Sequence, residues 1–196
     1  MKHIKIGVDM DDILFDINPQ IVAYYNNLKG ENHTTENIKE YYLEKLFGIS
    51  GEEMHDILEG FYASSYHENG EPIQGSKDGV ATLQKYDLIL ITARNHTLEG
   101  VTLRWLTKHF PNVFSATHLV GIPRGGAVTT KGELAQKLGI KVFIEDSLTN
   151  ALNIASYGIP VVLLDKVWNQ GTLPPHIYRV FSWQEIIEKV EELAHL

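Results

Sequence analysis

The chain has 196 residues and a formal net charge of −8, from 17 basic and 25 acidic side chains. That length suits one domain with a sizeable core, or a core with a small insert. The acidic balance argues against binding a nucleic-acid polymer but leaves room for a small anion in a locally positive pocket. The absence of cysteine removes disulfides and thiolate metal sites and fits a reducing, cytoplasmic setting. The opening MKHIKIGVDMDD does not read as a signal peptide, and no run approaches the ~18 apolar residues of a membrane span.

Taken in order, the first element is a strand over Ile4 to Val8, ending in the carboxylates Asp9, Asp11 and Asp12. Residues 16–75 then read as helical. Asn18-Pro19 has the form of a helix start, with Asn as the cap, and Gly30 marks that helix's end. A second helix is predicted over Glu36 to Phe47. Ser50-Gly51-Glu52-Glu53 is a capping-box pattern that opens a third, running to Tyr62. Ser76 is predicted to cap a helix to Lys85. The strand DLILIT (Asp87 to Thr92) follows, then a helix over Leu98 to His109 with apolar residues near helical period. A weaker strand covers Thr117 to Gly121. The helix Lys131 to Leu138 stops before Gly139, a suitable residue for the left-handed turn after a helix. KVFIE (Lys141 to Glu145) and PVVLL (Pro160 to Leu164) are strands separated by a helix over Leu148 to Tyr157, and Trp183 to Leu193 closes the chain as a helix.

Strands alternating with helices define an α/β fold with a doubly wound parallel sheet. The continuous apolar runs fit strands covered on both faces. Residues 1–15 and 76–196 form the α/β core, and 16–75 a small helical cap inserted after the first strand.

Ligands of open α/β sheets bind beyond the carboxyl ends of the strands. The first strand delivers Asp9, Asp11 and Asp12 there, the second Thr92-Ala93-Arg94, and the fourth Glu145-Asp146-Ser147. Lys131 follows the third. Two carboxylates ~4 Å apart repel by roughly 4 kcal/mol at an effective dielectric of 20, so the cluster calls for a cation. All-oxygen ligands point to a hard ion, with Mg²⁺ the default. None of the nine histidines pairs at zinc-ligand spacing. A hydroxyl at Thr92 and an ammonium at Lys131 suit a phosphoryl group with developing charge. The run Gly121 to Gly126 lacks the Gly-Lys-Ser/Thr ending of a nucleotide P-loop.

DMDD at 9–12, the Thr of LILITAR at 92, Lys131 in TTKGELAQKLG and FIEDS at 143–147 occur in that order. In this the chain resembles the haloacid dehalogenase-like (HAD) phosphohydrolase superfamily, over residues 1–15 and about 76–165. The stretch FIEDSLTNALNIASYGIPVVLLDKVWNQ is most similar to the subgroup of 5′-nucleotidases that includes the deoxyribonucleotidases. The resemblance implies a HAD-like Rossmannoid core and a Mg²⁺-dependent phosphomonoesterase. Asp9 would be the nucleophile and Asp11 the proton-transfer residue. Asp9, the Asp11 carbonyl, Asp146 and Glu145, the last directly or through water, would hold the metal. Thr92, the Ala93 amide and Lys131 would hold the phosphoryl oxygens, and Ser147 and Asn150 would orient the outer shell. The implied partner is a small phosphorylated substrate such as a nucleoside monophosphate.

Asp12 fits a structural role in the turn, bonding its own backbone. Phe15, where the chain enters the insert, is placed to meet substrate. Tyr24-Tyr25, Tyr41-Tyr42 and Phe61-Tyr62 suit the insert's own core or a base-binding pocket. The characterised deoxyribonucleotidases carry Ser-Pro after the motif-two Thr, where this chain has Ala93-Arg94; sugar phosphates or other small esters are therefore an alternative substrate class. A receiver-like phospho-aspartate module is the alternative from another class, but its phospho-acceptor ends a middle strand, where this chain has Thr92.

Overall fold

Successive side chains of a strand face opposite sides of a sheet, so an unbroken apolar run needs cover on both. In DLILIT, Leu88 and Leu90 join one buried cluster with Ile6, Val8, Val142, Ile144 and Val162. Ile89 and Ile91 join another with Phe143, Val161 and Leu163. The computed structural model describes residues 4–40, 42–121 and 129–195.

In chain order the elements are β1 (Lys5–Val8), α1 (Ile17–Lys29), α2 (Glu44–Phe47), α3 (Gly51–Tyr62), α4 (Ser65–Glu68), α5 (Ser76–Leu83), β2 (Asp87–Asn95), α6 (Glu99–His109), β3 (Ala116–Gly121), α7 (Lys131–Leu138), β4 (Ile140–Glu145), α8 (Leu148–Ser156), β5 (Val161–Leu164), β6 (Ile177–Val180) and α9 (Trp183–Ala194). The strands pair in parallel in the order β3-β2-β1-β4-β5-β6. This is a doubly wound sheet whose winding reverses between β1 and β4, where such folds open a crevice. Register aligns the strand ends there. Val8 lies opposite Leu90 of β2 and Ile144 of β4, which brings Asp9, Thr92, Glu145 and Asp146 to one edge. No helix of the described residues is long and apolar enough to cross a membrane.

Helices α1 to α4 lie between β1 and β2 and bury an aromatic centre. Tyr25 stacks on Phe47 at 3.8 Å, and fully buried Phe61 meets the Tyr24 ring edge-on. Their apolar residues are continuous with the sheet face lined by Leu88 and Leu90. Helix α3 starts as its sequence predicts, with the Ser50 hydroxyl accepting from the Glu53 amide at 3.1 Å.

Three local expectations differ from the structure. The helix predicted over Glu36 to Phe47 is a single 3₁₀ turn (Thr35–Asn37) and the short α2. Ile38 leaves helical geometry at φ −70°, ψ 117°, and is buried; packing here overrides propensity. Asn18 is not a cap but the second residue of α1, where its amide donates to Asp12 Oδ2 at 2.7 Å. Ser76 is the first helical residue of α5, and Gly75 before it adopts the left-handed conformation at φ 83°. The strand β6 and helix α4 add elements that the sequence pattern did not announce.

Candidate active site

The amide of Asp9 continues the β1–β4 ladder, donating to the Ile144 carbonyl at 3.0 Å. Its side chain therefore leaves the sheet at the carboxyl edge, nearly buried. Lys131 opens α7, where the helix dipole disfavours a cation. The compensation is local: Nζ lies 2.7 Å from Asp9 Oδ1 and 2.8 Å from Glu145 Oε2. Glu145 Oε1 accepts from the Ser147 amide at 3.0 Å and the Asn150 side-chain amide at 3.4 Å. Asp146 Oδ2 accepts from the Trp168 indole at 3.0 Å. Asn169 donates to the carbonyls of Asp146 and Leu164, both at 2.7 Å, and so ties the end of β4 to that of β5.

Asp9, Glu145 and Asp146 each place one oxygen within a 4.8 Å cluster. Burial pushes the Asp9 carboxyl up to about 8, with Glu145 adding to the rise and Lys131 opposing it. Burial and then the charge of Asp9 push Asp146 up to about 7. Burial also raises Glu145, against the pull of Lys131. Burial works against the Lys131 ammonium, but Asp9 and Glu145 outweigh it and hold Lys131 above the ordinary lysine range. When all three carboxyls are ionised, they and the one ammonium leave two negative charges, in an all-oxygen donor set. That is the charge and chemistry a hard divalent cation fits.

A cavity of about 190 Å³ opens above this triad, lined by Asp9, Asp11, Thr92, Arg94, Asp146 and Tyr62 among others. Ala93 and Asn150 also reach it. Thr92 is buried, and its hydroxyl oxygen accepts from the Arg94 amide at 3.3 Å. Asp11 faces the cavity and takes a bidentate pair from Arg94, at 2.6 and 2.9 Å. Asp12 adopts the left-handed conformation at φ 57°, and its amide donates to the Phe15 carbonyl at 2.8 Å. It does sit in the turn, but its side chain bonds Asn18 rather than its own backbone, with Lys166 Nζ 3.9 Å away.

A second cavity of about 210 Å³ adjoins the first and shares Asp11, Asp12 and Tyr62 with it. Its other walls are mainly apolar and aromatic, including Ile21, Leu43, Met54, Tyr42 and Trp168.

The structure thus gathers Asp9, Asp11, Thr92, Ala93, Lys131, Glu145, Asp146 and Asn150 at one sheet edge. Ser147 caps α8, its hydroxyl accepting from the Asn150 amide at 3.4 Å. Lys131 and Glu145 do not line the cavity; they lie beneath Asp9 and Asp146. Phe15 is a correction. It is fully buried and lines neither cavity, because the turn through Asp12 folds it inward against Trp105, at 4.8 Å, and His67, at 5.3 Å. Of the tyrosine pairs, Tyr25 belongs to the insert's core, whereas Tyr42 and Tyr62 line cavities. Tyr41 and the glycine-rich run from 122 onward lie outside the described residues. Sequence reasoning placed Arg94 at the sheet edge without a role, and missed His67, Lys166, Trp168 and Asn169 as site residues. A usable signal existed for the last three: DKVWNQ follows β5, at the same carboxyl edge as the other motifs.

An acid-rich crevice at the β1–β4 switch, with a buried lysine and a strand-end threonine, keeps together the motifs by which the chain resembles the HAD hydrolases. Solved structures share the fold. A haloacid dehalogenase-like hydrolase from Streptococcus pneumoniae superposes with a TM-score of 0.70 at 14% identity, over 95% of this chain and 98% of that one. The HAD-hydrolase YfnB from Bacillus subtilis, solved bound to magnesium, gives 0.64 at 14% identity, over 97% and 100%. A nucleotidase-named protein of Halalkalibacterium halodurans is 32% identical over 199 aligned positions, 97% of this chain and 94% of the relative. The family model described as 5′ nucleotidase, deoxy (pyrimidine), cytosolic type C protein matches residues 2–194, and the chain belongs to that family. It is a phosphoric monoester hydrolase of the HAD superfamily, nucleotidase type.

Proposed function

We propose that the protein is a Mg²⁺-dependent 5′-nucleotidase that hydrolyses deoxyribonucleoside monophosphates through an aspartyl-phosphate. The observation that carries this reading is the junction of the two cavities at Asp11. A carboxylate-lined pocket for the phosphoryl group meets an apolar pocket walled by rings, and the proton-transfer residue stands between them. A planar heterocycle on a sugar fits the second pocket, with its 5′ oxygen beside Asp11. The matching family model, with its deoxy and cytosolic description, supports the same substrate class and a cytoplasmic place of action. The insert, 16–75, acts as a cap over a core formed by 1–15 and 76–196, since α1 and α3 supply walls of the second pocket.

Asp9 and Asp146 would hold the metal, with the Asp11 carbonyl completing the protein's share and Glu145 behind. When bound, Mg²⁺ neutralises charge between nucleophile and phosphate. Thr92 and the Ala93 amide bind the phosphoryl oxygens, and Lys131 adds a positive charge beneath them. An Asp9 oxygen attacks phosphorus; the bond to the ester oxygen breaks, and that oxygen leaves with the electron pair and takes the proton of Asp11. Asp11, now a carboxylate, accepts a proton from water as the water oxygen attacks phosphorus. The Asp9–phosphorus bond breaks, releasing phosphate and restoring both carboxyl groups.

The Ala93-Arg94 pair, in place of Ser-Pro, keeps sugar phosphates as the second reading. A panel of nucleoside monophosphates and sugar phosphates, assayed with Mg²⁺, separates the two. Turnover of deoxyribonucleotides is expected; turnover of a sugar phosphate with no nucleotide hydrolysed would replace the leading substrate class. Asp9→Asn is expected to leave no p-nitrophenyl phosphate hydrolysis above background, and residual turnover would remove Asp9 as nucleophile.

A further inference from the structure

Arg94 departs from the motif of the resembled subgroup, and its surroundings are specific. Its side chain is 1% exposed. Nε donates to Asp11 Oδ2 at 2.9 Å and Nη2 to Asp11 Oδ1 at 2.6 Å. Nη1 donates to Thr102 Oγ1 at 3.1 Å and lies 3.2 Å from His67 Nε2. A guanidinium has donors and no acceptor, so His67 must accept at Nε2. The ring is therefore the neutral tautomer with its proton on Nδ1. Burial, reinforced by the Arg94 charge, agrees with this by lowering His67 to about 4. The rings of Phe15 and Tyr62 lie 5.4 and 5.2 Å from the guanidinium carbon. Four of its five N–H groups are thus taken, which leaves little for a phosphate ligand's role.

The structure assigns Arg94 as a positioning residue: it fixes the carboxylate plane of Asp11, and His67 and Thr102 fix Arg94. Asp11 lies in a loop, and as an unpaired side chain it would sample several rotamers. A planar fork using one lone pair on each oxygen holds it to one, and the proton that Asp11 transfers is carried on a lone pair the guanidinium does not use. His67 comes from α4 of the insert and Thr102 from α6 of the core, so seating of the insert against the core also sets the proton-transfer residue. The inference rests on the reading of Asp11 as the acid that protonates the leaving group.

Leaving-group dependence tests it. p-Nitrophenolate departs with little help from an acid, whereas phenolate needs more. Arg94→Lys keeps a positive charge but cannot span both oxygens. It is expected to lower kcat/KM for phenyl phosphate about tenfold more than for p-nitrophenyl phosphate, leaving inhibition by inorganic phosphate unchanged. Asp11→Asn, measured alongside, should show the same selectivity more strongly. Equal losses on both esters in Arg94→Lys, with Asp11→Asn selective, would overturn the assignment. Equal losses joined to weakened phosphate inhibition would make Arg94 a phosphate ligand instead. No selectivity in Asp11→Asn would remove the acid–base reading beneath the inference. If Arg94→Lys does not fold, His67→Phe decides by the same comparison: a smaller but selective loss supports the role, and an equal loss overturns it.

Discussion

Lys131 is the one cation that touches two of the three clustered carboxylates among the described residues, so replacing it with the similarly shaped methionine isolates its charge. At an effective dielectric of 20, each contact near 2.7 Å is worth about 6 kcal/mol of attraction before the cost of burying the ammonium. That cost is large, and breaking one side of a buried pair typically destabilises by about 3 to 5 kcal/mol. Urea unfolding in EDTA should show a loss of that size with an unchanged m value. At roughly 2 to 4 °C per kcal/mol for a chain of this size, the melting temperature should fall by about 6 to 20 °C. The loss should come from an uncompensated Glu145, which is fully buried. Glu145→Gln, introduced into the Lys131→Met protein, should therefore restore much of the stability, although by itself it destabilises the wild type. A loss under about 1 kcal/mol, or no recovery in the double variant, would refute the view that Lys131 is the counter-charge of this cluster.

Activity should vanish in EDTA and return on adding Mg²⁺; an unchanged rate would remove the metal from the reaction. Gly121→Ala should lower stability by about 1 to 3 kcal/mol and reduce kcat/KM, since its Cβ would lie 2.1 Å from the Ala93 carbonyl and force β2 to shift beside Arg94. An unchanged urea midpoint and rate would refute that. His67 has its folded pKa lowered to about 4, from an ordinary 6.5, by burial and Arg94. Its neutral form is the one the fold keeps, so its contribution is whole above pH 6.5 and is lost as pH falls towards 4, at up to about 1.4 kcal/mol per unit. His67→Phe should show a shallower stability loss in that window, and an identical profile would exclude His67 as its source.

Where burial on both faces dictated composition, the fold was legible. DLILIT, KVFIE and PVVLL lie in the centre of the sheet and are strands, and α7 begins at Lys131 and ends before Gly139 as its pattern predicts. Strand β6 was not, because IYRV sits at the sheet edge with Tyr178 and Arg179 half-buried and carries no continuous apolar run. Glu36 to Phe47 failed for a different reason. Its buried apolar residues reach the insert's core from two conformations, Ile38 from an extended residue and Phe47 from a short helix, which a single helix over the segment does not describe.

The site divides in the same way. Residues at strand ends were visible because strand order alone places them at one edge. Their partners were not, because His67 is 27 residues from Arg94 and Trp168 is 22 from Asp146, distances that periodicity does not span. Among the described residues, five carboxylates, Asp9, Asp11, Asp12, Glu145 and Asp146, face three cations, Arg94, Lys131 and Lys166. Arg94 takes both oxygens of Asp11, and Lys166 with Asn18 balances Asp12. Lys131 is shared by Asp9 and Glu145, and the Asp146 side chain accepts from the Trp168 indole. With every carboxylate ionised, the charge that these described groups leave unbalanced falls on the pair that borders the cavity, Asp9 and Asp146. Because the strand-end arginine binds Asp11, Asp9 is the carboxylate that the proposed mechanism leaves to a cation and to phosphorus.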